Sequence, residues 1–159
     1  MATTTEVYNN GYEITKDENL PYEVKAIKNV PNYRNGDGFT CKLYKGRKLI
    51  AHVTDDGNGG CYRWDDEDRD LHAEFRQYAE DKIGKGIERD DHFVALLVEE
   101  KEICQKAKRS KSKTIFKVKA EPDFPGYPDY TYFSIKGTGD RIKGYLESKY
   151  GDELIHVYQ

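Results

Sequence analysis

The pattern that most restricts the fold is a pair of alternating runs within residues 39–56. The first run, FTCKLY, places Phe39, Cys41 and Leu43 on one side of the chain, and LIAHVTDD follows after the short segment KGRK. Two alternating runs separated by a short glycine-containing turn are typical of a β-hairpin. We therefore predict two adjacent antiparallel strands, the second of which leads into the stretch DDGNGGCYRWDDEDRD (55–70).

The remaining periodicities complete a mixed pattern. Alternating runs predict further strands over 22–30, 112–121, 129–137 and 153–159, and apolar residues at helical spacing predict helices over 70–84, 90–109 and 139–151. In 22–30 we expect Val24, Ala26 and Ile27 on the inner side. The resulting order is β-ββ-αα-ββ-α-β, which predicts an α+β fold with a mainly antiparallel sheet of five to six strands and three helices packed on one face.

Length and composition indicate one domain outside any membrane. The chain has 159 residues, of which 35% are charged and 36% hydrophobic. We predict a flexible N-terminal tail over 1–18 and a single α+β domain over 19–159. No apolar run approaches the roughly 20 residues of a membrane span. The three cysteines are odd in number and widely spaced, which favours a reducing, cytoplasmic compartment over a disulfide framework.

The stretch 55–70 is the predicted binding region. As a strand-to-helix connection of about 14 residues it is long for a simple linker, and loops of that length tend to be functional. Its glycines can direct backbone N–H groups at a phosphate, and Trp, Tyr and Arg are frequent hot-spot residues. The predicted ligand or partner residues here are Asp56, Asn58, Gly59, Gly60, Tyr62, Arg63 and Trp64.

The same stretch admits other interpretations. Its five acids in 65–70 are also typical of a solvated run that leads into a helix N-terminus. A divalent ion held by Asp55, Asp56, Asp65 and Asp66 is an alternative, although the spacing fails a calcium loop because Cys61 stands where glycine is needed. The HAE triplet at 72–74 lacks the Cys-x-x-Cys pair of a zinc deaminase. We therefore predict no catalytic residue, no metal ligand, no cofactor and no enzymatic activity.

A second anion-binding candidate lies between the strand 129–137 and the last helix. Lys136 and Thr138 lie on either side of Gly137 in a glycine-rich turn, where a helix N-terminus favours an anion. The alternative is a tight strand-to-helix turn with Thr138 or Asp140 as the N-cap.

A basic segment, 106–119, contains seven cations but only one aromatic residue, Phe116. It can contact phosphates or an acidic protein face, but it lacks the stacking platform of a single-strand binder. Together with the acidic stretch 55–70 it makes the chain bipolar, while the net charge of −3 does not indicate wholesale binding to a phosphate backbone. Bipolar surfaces favour protein partners or self-association, including a homo-oligomer, over general adhesion to nucleic acid.

The run GDGFTCKLYKGRKLIAHVTDDGNGG (36–60) resembles a pattern in small phage and prophage proteins of unknown function. The resemblance implies a phage-type accessory protein in the cytoplasm of a bacterial host. It would act in the host–virus interaction as an anti-defence inhibitor. Such a protein would neutralise a host factor by binding a protein or by sequestering a nucleotide-like signal. The alternatives are a nucleic-acid-binding protein that uses 106–119 and a metal-dependent hydrolase that uses the carboxylates of 55–70.

Overall fold

The computed structural model describes residues 9, 11–31, 37–121 and 129–159. It confirms the α+β class and the predicted order of elements, with one strand added. The elements are β1 (Tyr22–Val30), β2 (Gly38–Lys45), β3 (Lys48–Asp55), β4 (Arg63–Asp66), α1 (Arg69–Ile83), α2 (Arg89–Arg109), β5 (Lys113–Lys119), β6 (Tyr130–Lys136), α3 (Asp140–Tyr150) and β7 (Leu154–Tyr158).

The strands form two antiparallel sheets instead of one. The first has the order β1-β2-β3-β4, and the second has the order β6-β5-β7. The predicted hairpin is β2–β3, in which Lys45 pairs with Lys48 and Gly46 turns the chain at a φ of 59°. Alternating patterns identify strands one at a time, but they do not state which strands pair, so the division into two sheets was not predictable from them.

The strand β4 is the element that the sequence did not predict. It has four residues, RWDD, and it pairs with β3 so that Arg63 lies opposite Thr54 and Asp66 lies opposite Ala51. Because aspartate is depleted in strands, so short a strand within an acidic run cannot be recognised from its composition. The stretch 55–70 is therefore not one long connection but a loop over 56–62, a strand and the start of α1.

The chain divides into two compact units, Met1–Val98 and Glu99–Gln159. In the first unit, the inner face of the sheet packs on α1 and the beginning of α2 around Val24, Leu43, Ile50, Val53, Phe75, Ala79 and Phe93. Ile14 is also buried in this core, so packing begins before the predicted boundary at residue 19. The single domain over 19–159 stays a prediction.

The second unit has three layers, with β5 in the middle. Ile115 packs with Ala107 of α2, whereas Phe116 and Val118 pack with Leu146 of α3. Because both faces of β5 are covered, its residues from Thr114 to Val118 are all buried. Within the described residues, no helix has the length and apolar character needed to cross a membrane.

One of the seven cations in the basic segment belongs to this interior. Lys117 is only 2% exposed, and its Nζ lies 3.9 Å from the centre of the Tyr130 ring. Glu99 accepts hydrogen bonds from the hydroxyls of Tyr130 and Tyr132. The tyrosine faces attract the ammonium group while the carboxylate orients their hydroxyls. Lys117 is therefore a structural residue, not part of a solvated basic strip.

A bulge in β1 changes which of its residues face the core, so the inner face differs from the predicted one. Val24 is buried as predicted, but Ala26 is exposed and adopts a φ of 53°. The pairing register with β2 shifts between Lys25 and Lys28. Such an irregularity re-aims the side chains that follow it. The prediction is therefore wrong for Ala26, whereas Ile27 packs against the core of the first unit as expected.

Gly38 allows β2 to approach β3 closely, and its substitution tests this packing. A Cβ atom at Gly38 would lie 1.9 Å from the carbonyl oxygen of Asp55. We expect Gly38→Ala to reduce the free energy of unfolding by about 1–3 kcal/mol, because the backbone must move apart. Gly60→Ala is the matched control, since no atom in the part of the chain that the structure describes lies within 4 Å of its Cβ position. Equal stability of the two variants in urea denaturation would contradict this packing.

Candidate functional site

The aspartates at the start of the acidic stretch bind their own loop. The backbone N–H of Gly57 donates to Asp55 Oδ1 at 2.9 Å, and the N–H of Asn58 donates to Asp56 Oδ1 at 2.9 Å. The hydrogen bond from the Asn58 backbone is the main reason that the pKa of Asp56 is lowered. Two N–H groups of the predicted phosphate nest thus already donate to carboxylates, as in ordinary Asx turns.

The predicted site residues fall in both units. Asp56, Asn58, Gly59, Gly60 and Arg63 are exposed in the first unit, where Tyr62 and Trp64 are half-buried. Lys136 and Thr138 are exposed in the second unit.

The turn that contains Lys136 and Thr138 leads into α3, whose N-cap residue makes no side-chain capping hydrogen bond. Gly139, with a φ of 90°, is the N-cap of α3, so neither Thr138 nor Asp140 takes that role. The structure therefore shows a glycine-capped strand-to-helix turn at this position.

Trp64 is held inside the first unit by two specific contacts. Its Nε1 donates to Asp91 Oδ1 at 2.7 Å, and its ring stacks on His72 with a centroid distance of 4.0 Å and an angle of 12°. The other oxygen of Asp91 accepts from the backbone N–H of Tyr62 at 2.8 Å. Trp64 thus fixes β4 against the helices, and its indole N–H is already committed.

His72 lies between two carboxylates. Its Nδ1 is 2.9 Å from Asp66 Oδ1, its Nε2 is 2.8 Å from Asp90 Oδ2, and Arg76 donates to the same Asp90 oxygen at 3.2 Å. Both ring nitrogens face acceptors, which favours the doubly protonated imidazolium. We call Asp66, His72, Arg76 and Asp90 the His72 cluster.

The pKa shifts in the His72 cluster agree with this geometry. Burial lowers the pKa of His72, but the hydrogen bonds and charges of Asp90 and Asp66 outweigh it, and the net shift is upward. For Asp90 burial acts in the opposite direction and raises the pKa, but His72 and Arg76 outweigh it and bring the pKa of Asp90 below its usual value. In the described part of the chain, no three His, Cys, Asp or Glu side chains are grouped to hold a metal ion.

A groove lies on the opposite, outer face of the first sheet. The register aligns Lys28, Thr40, Thr54 and Arg63 in one row across four strands, and Lys42, His52 and Asp65 in a second row. These residues line a groove of about 430 Å³, which we call the outer-face groove.

The outer-face groove is rich in hydrogen-bond donors and positive charge. Its described lining offers the cations of Lys28, Lys42 and Arg63 against one carboxylate, Asp65, which lies 3.7 Å from Arg63. Both members of that pair are exposed, so the ion pair contributes little and can be replaced by a ligand. The arrangement suits an anion with several acceptor oxygens.

Among these residues, the sequence predicted Arg63 as a binding residue and Asp65 only as a ligand in the divalent-ion alternative. The alternation of the hairpin does separate Thr40 and Lys42 from the apolar Cys41 and Leu43. What the sequence lacks is the register that places these outward residues beside one another and beside Arg63 on the unpredicted strand.

The buried imidazolium predicts a pH-dependent stability. Because the folded-state pKa of His72 is raised, its stabilising contribution is complete below its unfolded-state pKa of about 6.5 and is lost as pH rises through the folded-state value. We expect His72→Gln to cost about 3 kcal/mol near pH 6 and clearly less near pH 9. His52→Gln, on the outer face, is the control. A pH-independent loss for His72→Gln in urea denaturation would contradict the imidazolium.

Comparisons with known proteins leave the family open. No protein-family model matches the chain, and neither the search of curated proteins nor the search of solved structures found a significant match. The resemblance of residues 36–60 to small phage proteins therefore stays a prediction.

Proposed function

We propose that this protein is a non-enzymatic binding protein that holds a phosphate-bearing, nucleotide-like ligand in the outer-face groove. The observation that carries the proposal is the register of the first sheet, which gathers Lys28, Lys42 and Arg63 around two threonine hydroxyls. The volume, about 430 Å³, falls in the range of roughly 300–1,000 Å³ that is common for small-molecule sites.

The spacing of the cations favours a ligand larger than inorganic phosphate. Lys28 and Arg63 stand on the two outermost strands of a four-stranded sheet, so their Cα atoms are about 14 Å apart. Lys42 and the hydroxyls of Thr40 and Thr54 lie on the two strands between them. One phosphate reaches part of this row, whereas a ligand with a phosphate at one end and further polar groups reaches all of it. The guanidinium of Arg63 suits bidentate contact with a phosphate.

The biological role follows from the resemblance in the hairpin. We place the protein among phage-type accessory proteins that act in the bacterial cytoplasm by sequestering a nucleotide-like signal of the host. A host protein as the target, and self-association of the chain, stay predictions. The acidic stretch does not favour the hydrolase alternative, because Asp55, Asp56, Asp66 and Asp68 accept hydrogen bonds from loop, histidine or helix donors.

A nucleic-acid-binding function for 106–119 is the second candidate. Apart from the buried Lys117, the six other cations of this segment are exposed. A contact of this kind would be dominated by phosphate charges, so its affinity would fall steeply with salt concentration.

The groove is tested by titrating the protein with ATP as a probe in isothermal calorimetry at physiological salt. We expect Lys42→Gln and Arg63→Gln each to weaken binding by about tenfold or more, because each removes a charge-assisted hydrogen bond. Lys48→Gln is the matched control, since Lys48 is exposed on β3, outside the groove, and the charge change is the same.

Two results would contradict the proposal. Equal weakening by all three substitutions would show that net charge, not the groove, determines binding. Unchanged affinity in both Lys42→Gln and Arg63→Gln would place the ligand elsewhere.

A further inference from the structure

The second unit contains a smaller groove of about 280 Å³. Its walls come from the end of α2 and from neighbouring residues of β5 and β6. The lining residues that supply its charged, hydroxyl and apolar groups include Ile103, Lys106, Ser110, Lys113, Ile115 and Ser134. We call it the α2–β5 groove.

The elements explain why these side chains meet. Ile103, Lys106 and Ser110 are spaced by three and four residues, so they follow one face of α2 and its C-terminal end. Lys113 and Ile115 are two residues apart in β5 and point to the same side, and Ser134 lies directly opposite Ile115 in β6. One helix face therefore stands over one face of a strand pair.

The chemistry of the groove is divided between floor and rim. Ile115 is 6% exposed and Ile103 is half-buried, and both belong to the apolar cluster beneath the groove. Lys106 and Lys113 are exposed, and two serine hydroxyls add neutral donors. Among the described residues that line it, there is no carboxylate. An anion is therefore favoured at the rim and an apolar group at the floor.

We propose that the α2–β5 groove binds a small organic anion that joins one phosphate or carboxylate to an apolar body the size of a ring. Its volume lies just below the range of roughly 300–1,000 Å³ typical of drug-sized ligands, which limits the ligand to a compact molecule. The apolar part packs on the two isoleucines, while the two lysines and the serines hold the anionic group.

A small-anion site in the α2–β5 groove and a nucleic-acid contact would use different sets of cations. A polyanion would engage exposed cations all along 106–119, because its affinity comes from the number of phosphates neutralised. The α2–β5 groove uses Lys106 and Lys113, whereas Lys108 and Lys111 lie outside its lining. The neighbouring lysines therefore provide a matched control with the same change of charge.

The test uses the full chain, with phenyl phosphate as the probe and amide chemical shifts as the readout. Amide shifts report which residues respond, so they distinguish binding in this groove from binding in the outer-face groove. We expect shifts at Ser110, Lys113 and Ser134 with a dissociation constant below about 10 mM. The double substitution Lys106→Gln and Lys113→Gln weakens binding by about tenfold or more, whereas Lys108→Gln with Lys111→Gln leaves it within about twofold.

Three outcomes overturn the proposal. Inorganic phosphate that binds as tightly as phenyl phosphate would show that the apolar floor is not used. Equal weakening by the two double substitutions, or an oligothymidylate that shifts the whole segment and competes with phenyl phosphate, would show a polyelectrolyte contact. The absence of shifts at the groove residues would remove the site.

Discussion

The pairing of His72 with Asp66 and Asp90 is the interaction on which the first unit depends. It joins β4, α1 and the first turn of α2 through one buried ring. Asp91, the next residue of α2, holds the backbone of Tyr62 and the indole of Trp64. A four-residue edge strand has little apolar surface of its own and is marginal alone, so we infer that these polar contacts fix where β4 lies.

The alternation within β4 divides the acidic stretch into two roles. Trp64 and Asp66 face the interior and contact His72, whereas Arg63 and Asp65 line the outer-face groove. The residues that make the stretch conspicuous in the sequence are thus mostly a scaffold. The surface that they position is shared with the neighbouring strands. The affinity for anions that we propose for it would come largely from Lys28 and Lys42, which precede the stretch in the sequence.

Much of the fold was predictable because local periodicity is preserved in it. The β2–β3 hairpin and all three helices follow their apolar patterns. The failures have physical causes: aspartates mask β4, a bulge turns Ala26 outward, and tyrosine rings bury Lys117. The division into two sheets and the outer-face groove depend on strand pairing, which no single segment encodes. Arg63 was predicted as a binding residue, but its partners Lys28 and Lys42 become visible only once the register is known.

Whether the outer-face groove holds a ligand can be measured by native mass spectrometry of the protein purified gently from bacterial cells. We expect a retained adduct of a few hundred daltons on the wild-type chain, which is lost on denaturation and is absent from the variant with both Lys42→Gln and Arg63→Gln. An adduct that the double variant retains would contradict the outer-face groove as the ligand site.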